Sequence, residues 1–178
     1  MNAPIAASRP HIAAEPVLTR EDLKGIAIIT LNRPKARNSL SEAMLAALGE
    51  TFAALGADRR IRGVVLAAEG SAFSAGHDLK EITARRHDSD GGRAYTREIM
   101  DRCSAVMQSI LRLPQPVIAA VEGTATASGC QLVATCDLAV AGGGARFCTP
   151  GVHIGLFCST PMVAFRAMSR PSMRWKCC

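Results

Sequence analysis

The stretch "PVIAAVEGTATASGCQLVATCDLAVA", residues 116–141, decides the fold of this chain. It begins with an apolar run at 116–123, which predicts a buried strand, and continues into a turn of small residues. The segment "SGCQLVATC" (128–136) predicts the first turns of a helix, and "DLAVA" (137–141) predicts another short strand. Strands that alternate with helices in this way indicate an α/β protein.

The same alternation extends through the preceding part of the chain. Helical spacing behind Ser39 or Ser41 predicts a capped helix, and a second, longer helix precedes two prolines. The strands are continuous apolar runs, which favours a sheet that is buried on both faces. The elements predicted here are strands at 25–34 and 63–70 and helices at 39–55 and about 93–112.

Composition excludes several classes of protein. A hydrophobic share of 48% with 20% charged residues is typical of a globular domain. No apolar run approaches the ~20 residues that a membrane-spanning helix needs. Much of the formal charge of +6 comes from Arg166, Arg170, Arg174 and Lys176 in the last thirteen residues. Elsewhere basic residues are interleaved with acidic ones, and no basic run carries interleaved aromatics, so a nucleic-acid partner is not expected. A small phosphorylated ligand fits this charge better.

The seven cysteines form no C-x-x-C pair. We therefore predict free, buried thiols in a reducing compartment and no metal site. Cys130 lies near the predicted helix start, where a thiol pKa can be lowered. We nevertheless predict that Cys130 is a packed core thiol.

Three corners of small residues follow predicted strands: "FSAGHDL" (73–79), "EGTATASGCQL" (122–132) and "ARFCTPGVHIGL" (145–156). Small residues allow a ligand to approach the backbone closely. The N–H of Ser128 would lie at a helix N-terminus, where donors are unpaired and the helix dipole is positive. Two such corners that face each other would form a two-donor oxyanion hole.

A different interpretation concerns Ser74. The segment "AFSAG" (72–76) has the spacing of the nucleophile elbow of α/β-hydrolases. That mechanism also requires a late histidine and an acid, and the only late histidine is His153. A serine hydrolase is therefore a remote alternative.

Four motifs together carry a family resemblance. Taken in order, "ITLNRPKARNSL" (29–40), "AFSAGHDLKE" (72–81), the stretch 116–141 and "ARFCTPGVHIGL" (145–156) resemble the crotonase, or enoyl-CoA hydratase/isomerase, family. The resemblance covers residues 17–168 and implies a spiral of β-β-α units. Residues 1–16 are predicted to be a flexible tail, either a bacterial N-terminus or a mitochondrial presequence.

The resemblance implies a site for an acyl-CoA thioester. The backbone N–H groups of His77 and Ser128 would hold the thioester oxygen as an enolate forms. No cofactor is implied, because coenzyme A is part of the substrate, and family members are homotrimers or hexamers. The residues implied to contact coenzyme A are Ser74, Ala75, Gly76, Asp78, Leu79 and Lys80, with Lys35 and Arg37 as phosphate contacts.

The sequence departs from the family at both hydratase glutamates. Gln131 and Gly151 occupy those positions, and neither side chain can act as a general base near neutral pH. His153 would share a face with Gly151 if that segment is extended, which makes it a candidate replacement. The alternative is a catalytically impaired protein that binds coenzyme A or another partner.

The last residues, "SRPSMRWKCC" (169–178), do not resemble the family. Ser172 to Cys178 can be encoded by codons that, read from one base earlier, would give a segment resembling the family's next helix, so we expect a frameshift. The fold would then lack the C-terminal helical part that builds the trimer. The expected location is the bacterial cytoplasm, with the mitochondrial matrix as the alternative.

Overall fold

The computed structural model describes residues 15–155 and 157–168. Two sheets organise this part of the chain, one of five strands and one of three. The five-stranded sheet contains β1 (Leu18–Leu23), β2 (Ile26–Leu31), β3 (Gly63–Ala68), β5 (Val117–Val121) and β7 (Leu138–Ala141), in that spatial order. The three-stranded sheet contains β4 (Ala72–Ser74), β6 (Thr124–Thr126) and β8 (Arg146–Cys148).

Helices follow the strands in a repeating pattern. They are α1 (Glu42–Ala57), α2 (Leu79–Ala84), α3 (Arg93–Leu111), α4 (Ser128–Thr135) and α5 (Ser159–Met168), with short 3₁₀ helices at Pro34–Ala36, Arg85–His87 and Pro150–Ile154. The first turn places both of its strands, β1 and β2, in the large sheet; from β3 onward each turn places one strand in the large sheet and the next in the small sheet before a helix, as in β5-β6-α4. This is the predicted spiral of β-β-α units.

Parallel pairing brings the ends of successive turns together. In the large sheet only β1 is antiparallel to its neighbour, and Val64 of β3 pairs with Val117 of β5. In the small sheet Ala72 of β4 pairs with Thr124 of β6. Because the strands run in one direction, the segments that follow β4 and β6 emerge side by side.

The core lies between the large sheet and the helices. Its largest fully buried side chains include Phe52 of α1, Phe73 of β4 and Leu66 of β3. Burial of each such side chain contributes roughly 1.5–3 kcal/mol. Of the two predicted N-cap candidates for α1, Ser39 and Ser41, the cap is Ser41, whose hydroxyl accepts a hydrogen bond from the Met44 N–H at 3.2 Å.

The expectation of a sheet buried on both faces was wrong. Side chains of β2 and β5 alternate between buried and half-buried positions, so only one face of the sheet is fully covered. β1 was missed because five of its six residues are exposed and its sequence "LTREDL" lacks an apolar pattern. β4, β6 and β8 were missed because each has three residues inside a corner that was interpreted as a turn.

None of the helices in the described ranges combines the length and the apolar character that crossing a bilayer would require. The predicted tails fall largely outside these ranges. Residues 1–14 and 169–178 are not described, so the predictions of a flexible N-terminus and of an aberrant C-terminal ending lie outside the described residues.

Candidate functional site

The segment that follows β4 is hydrogen-bonded to the segment that precedes α1. The Ala75 N–H donates to the Arg37 carbonyl at 2.9 Å, and the Leu40 N–H donates to the Gly76 carbonyl at 2.8 Å. The Asp78 N–H donates in turn to the Leu40 carbonyl at 3.3 Å. Backbone bonds on both sides of residue 77 therefore determine where its amide and side chain lie.

The Asn38 side chain stabilises this pairing through three hydrogen bonds to the backbone. It is fully buried, and its amide nitrogen donates to the carbonyls of Glu69 and Ala72, both at 2.8 Å. Its side-chain oxygen accepts from the Arg33 N–H at 2.8 Å. The residue has φ +49°, a conformation that asparagine tolerates better than most residues. Sequence reasoning missed Asn38, although an asparagine a few residues before a helix N-cap is a usable signal for such a turn.

The Ser74 hydroxyl is hydrogen-bonded to backbone groups of the turn. This buried hydroxyl donates to the Asn38 carbonyl at 2.9 Å and accepts from the Gly76 N–H at 3.3 Å. Both bonds fasten the turn between β4 and residue 77. The hydroxyl is thus bonded to backbone groups rather than to a histidine.

Asp78 caps α2, as a carboxylate before a helix start does. Its side chain accepts from the Lys80 N–H at 3.1 Å and from the Ser39 hydroxyl at 2.9 Å, and it pairs with Arg33 at 3.3 Å. Partial burial alone would raise the pKa of this carboxyl, but these hydrogen bonds and the Arg33 charge hold the pKa below its usual value. Leu79 and Lys80 beyond it are exposed to solvent.

The turn at residues 76–77 lies directly against the N-terminus of α4. A Cβ atom added to Gly76, which has φ +85°, would lie 3.2 Å from the Ser128 nitrogen. A Cβ atom on Gly129 would lie only 2.3 Å from the Ser74 carbonyl oxygen. Only glycine permits these two approaches, which bring the first and second predicted corners together.

The backbone N–H groups of His77 and Ser128 have no hydrogen-bond acceptor within residues 15–155 and 157–168. For Ser128 the reason is its place as the first residue of α4, where helical N–H groups have no partner inside the helix. Ala127 precedes it with φ +51°, a conformation that costs about 1–3 kcal/mol for a residue other than glycine. Such strain is typical of backbone that is held for a function.

The His77 side chain extends the contact between the two corners. Its Nδ1 atom lies 3.0 Å from the Ser128 hydroxyl, and the two residues are 51 positions apart in the sequence. Its Nε2 atom is buried without a hydrogen-bond partner in the described part of the chain. Burial lowers the pKa of His77, which favours the neutral imidazole. The contact between these side chains could not be predicted, because the spacing of residues in the chain does not show which corners meet.

The other predicted residues are distributed around this contact. Gln131 lies three residues after Ser128, and so on the same side of α4. Lys35 and Arg37 are exposed beside the paired segments. Residues 150–154 form a 3₁₀ helix rather than an extended segment, so the condition under which His153 would share a face with Gly151 is not met. The His153 side chain is exposed.

The cysteines in the described ranges are free thiols, as predicted, although only three of the five are buried. The Cys130 thiol donates to the carbonyls of Ala125 and Cys148 and is fully enclosed, which matches a packed core residue. Burial raises the pKa of Cys103 to about 11 and that of Cys136 to about 12. Cys177 and Cys178 lie outside the described residues. The described part of the chain contains no group of three or more His, Cys, Asp or Glu side chains arranged to hold a metal ion.

Comparisons with known proteins agree with this architecture. The family model for enoyl-CoA hydratase/isomerase matches residues 21–169. The chain is 46% identical over 168 residues to the human enoyl-CoA hydratase domain-containing protein 3, mitochondrial, covering 94% of this chain and 54% of that protein. The Xenopus laevis protein of the same name is 45% identical over 164 residues, covering 92% of this chain and 54% of that protein.

Solved structures show the same fold. The crystal structure of an enoyl-CoA hydratase from Mycobacterium smegmatis is 56% identical with a TM-score of 0.78, covering 86% of this chain and 58% of that one. The crystal structure of the human enoyl-CoA hydratase domain-containing protein 3 is 47% identical with a TM-score of 0.77. The match covers 85% of this chain and 58% of that one. This chain thus spans about half the length of the curated relatives that it matches. On the family match and these identities, the chain belongs to the enoyl-CoA hydratase/isomerase, or crotonase, family.

Proposed function

We propose that the chain binds an acyl-CoA thioester and holds its carbonyl oxygen between the backbone N–H groups of His77 and Ser128. The observation that carries the proposal is the approach of Gly76 to the Ser128 nitrogen, which places two amides without acceptors on adjacent segments. The family acts on acyl-CoA thioesters, which supports this choice of ligand. As the carbonyl gains enolate character, its negative charge would lie between these donors.

The catalytic value of such donors comes from their fixed positions. Hydrogen bonds on both sides of residue 77 keep its amide in place, and the start of α4 keeps the Ser128 amide in place, so neither position depends on a bound ligand. The positive end of the α4 dipole adds to the attraction for an oxyanion. Removal of one oxyanion donor typically costs about 10²–10³ in rate.

The coenzyme A part would lie along residues 74–80 and the exposed cations before α1. Ser74, Ala75 and Gly76 form the turn, whereas Leu79 and Lys80 offer accessible side chains. Lys35 and Arg37 lie beside this turn, because the Arg37 carbonyl accepts the Ala75 N–H. Two positive charges at this place suit the phosphate groups of coenzyme A.

The site offers no general acid or base at the two positions where hydratases of the family have glutamates. Gln131 presents a carboxamide on the Ser128 side of α4, and Gly151 has no side chain. Each missing general acid–base group costs typically 10²–10⁴ in rate, so we propose little ordinary hydration. These two residues also favour a second candidate, a family member that binds coenzyme A thioesters without hydratase turnover.

Calorimetric titration with acetyl-CoA and a longer enoyl-CoA tests the binding proposal. A Lys35→Ala, Arg37→Ala variant should bind about two- to thirtyfold more weakly, because each of the two exposed ion pairs with phosphate would contribute about 0.2–1 kcal/mol. Arg59→Ala is the matched control, since this exposed arginine follows the far end of α1. Absence of binding to both ligands by the folded chain would refute the proposal.

Loss of crotonyl-CoA absorbance separates the two candidates. We expect the parent chain to give little hydrated product, and a Gln131→Glu, Gly151→Glu variant to give substantially more. The single Gln131→Glu change is the intermediate control. Rapid hydration by the parent would contradict the assigned roles of these positions.

The oligomeric state and the location remain predictions. The resemblance implies a homotrimer or hexamer for family members, and analytical ultracentrifugation shows whether this chain assembles in the same way. Free thiols at the described cysteines are consistent with a reducing compartment. We propose the bacterial cytoplasm, with the mitochondrial matrix as the alternative, as in the names of the animal relatives.

A further inference from the structure

The contact between Ser128 and His77 has the geometry of an activated serine. The Ser128 hydroxyl oxygen lies 3.0 Å from His77 Nδ1, within hydrogen-bond distance. The serine is 3% exposed, and it begins a helix of eight residues. A serine next to a neutral imidazole can lose its proton to the ring as it attacks an electrophile.

We propose that Ser128 is a nucleophile that takes the acyl group from a bound thioester, with His77 as its general base. The activity would be hydrolysis of an acyl thioester through an acyl-serine intermediate. This inference rests on the proposed function, because the thioester carbonyl must lie at the amides of these same two residues.

The position of Ser128 in the site fits this role. The residue would supply the attacking hydroxyl and, through its own N–H, one of the two oxyanion donors. Chymotrypsin-like proteases use their nucleophilic serine in the same double role, and such arrangements recur on unrelated folds. Ser74 cannot do this as placed, because its hydroxyl is bonded to the Asn38 carbonyl and the Gly76 N–H.

The proposed reaction has two steps. In the first, the Ser128 proton passes to His77 Nδ1 as the oxygen attacks the thioester carbon. The C–S bond then breaks, and the imidazolium gives its proton to the departing thiolate. In the second, His77 deprotonates a water molecule that attacks the acyl-serine, which releases a carboxylic acid and restores Ser128. The net reaction converts a thioester and water into an acid and a thiol, with no change in oxidation state.

We expect the reaction to be slow, because His77 Nε2 has no hydrogen-bond partner in the described part of the chain. The proton of neutral His77 must lie on Nε2 for Nδ1 to accept the serine proton, and Nε2 is buried with no acceptor in the described part of the chain. No carboxylate is bonded there to stabilise the imidazolium. Loss of that interaction lowers kcat about 10⁴-fold in a complete triad, so slow turnover is expected.

The first experiment does not require coenzyme A. The chain is treated with a fluorophosphonate probe, and the labelled peptide is identified by mass spectrometry. We expect labelling at Ser128, its loss in Ser128→Ala, and a decrease of about 10²-fold or more in the labelling rate of His77→Gln. Ser104→Ala, at an exposed position of α3, is the control that should be labelled like the parent.

The second experiment uses acetyl-CoA, with chromatography of the released coenzyme A and mass spectrometry of the protein. Ser128→Ala retains its backbone N–H, so it should bind acetyl-CoA like the parent but form no acetyl-serine. A folded parent that binds acetyl-CoA but is never labelled or acetylated at Ser128 overturns this inference alone. Labelling of Ser128 without any binding of acetyl-CoA overturns the thioester assignment and with it the proposed function.

Discussion

Replacement of Gly129 by alanine tests the contact that builds the site. A Cβ atom at this position would lie 2.3 Å from the Ser74 carbonyl oxygen and 2.9 Å from the Ser74 Cβ atom. Gly49 in α1 is the matched control, because a Cβ atom there would meet nothing closer than a Val106 methyl group at 4.0 Å. The two variants make the same chemical change within a helix, in opposite steric surroundings.

The two substitutions are expected to change the free energy of unfolding in opposite directions. Alanine stabilises a helix interior over glycine by up to about 1 kcal/mol, so Gly49→Ala should gain about 0.5–1 kcal/mol. At Gly129 the Ser74 peptide must move by about 1 Å, the difference between 2.3 Å and the 3.4 Å of ordinary contact. Overpacking of this kind costs typically 1–3 kcal/mol, which exceeds the helix gain.

Urea-induced unfolding, followed by circular dichroism, measures both changes, and calorimetry measures acetyl-CoA affinity. Gly129→Ala should be less stable than the parent and should bind acetyl-CoA more weakly, because the displaced peptide precedes residue 77. Gly49→Ala should bind like the parent. A Gly129→Ala variant with parental affinity and a stability gain equal to that of Gly49→Ala would refute the close approach of the two corners.

Three further predictions concern stability. Asn38→Ala should lower the free energy of unfolding by about 2–3 kcal/mol, because three backbone groups lose their partner; a loss below about 0.5 kcal/mol in urea unfolding would contradict this. His77 has a lowered pKa in the folded state, so its contribution to stability is complete above the unfolded pKa of about 6.5 and is lost as the pH falls through the folded pKa. The acid side of the parent's stability curve should therefore be steeper than that of His77→Gln, and identical slopes would exclude the effect. Ala127→Gly should gain up to about 1 kcal/mol by relief of the φ +51° conformation, whereas Ala47→Gly in α1 should lose about as much; a similar loss in both thermal melts would show that residue 127 is not strained.

Long periodic elements could be predicted from the sequence, and short ones could not. The helix expected at about 93–112 is α3 (Arg93–Leu111), and the strand expected at 63–70 is β3 (Gly63–Ala68). Each of these has enough residues for an apolar pattern to be visible. A three-residue strand such as β6 has no such pattern, and it forms because parallel neighbours on both sides bond to it.

The candidate site was predictable where backbone position follows from a motif. The small residues around His77 and Ser128 indicate where a ligand can approach the main chain. The Ser128–His77 hydrogen bond and the Asn38 network depend on contacts between distant segments, which single-sequence reasoning does not supply. The 3₁₀ helix at residues 150–154 could not be predicted, because five residues are too few to show a periodic apolar pattern.

The most direct test of the central claim is a crystal structure of the Ser128→Ala variant with acetyl-CoA, in which both backbone N–H groups are retained. The account predicts that the thioester carbonyl oxygen lies about 2.7–3.2 Å from the nitrogens of both residue 77 and residue 128. A carbonyl oxygen bound elsewhere, or beyond about 3.5 Å from either nitrogen, would contradict it.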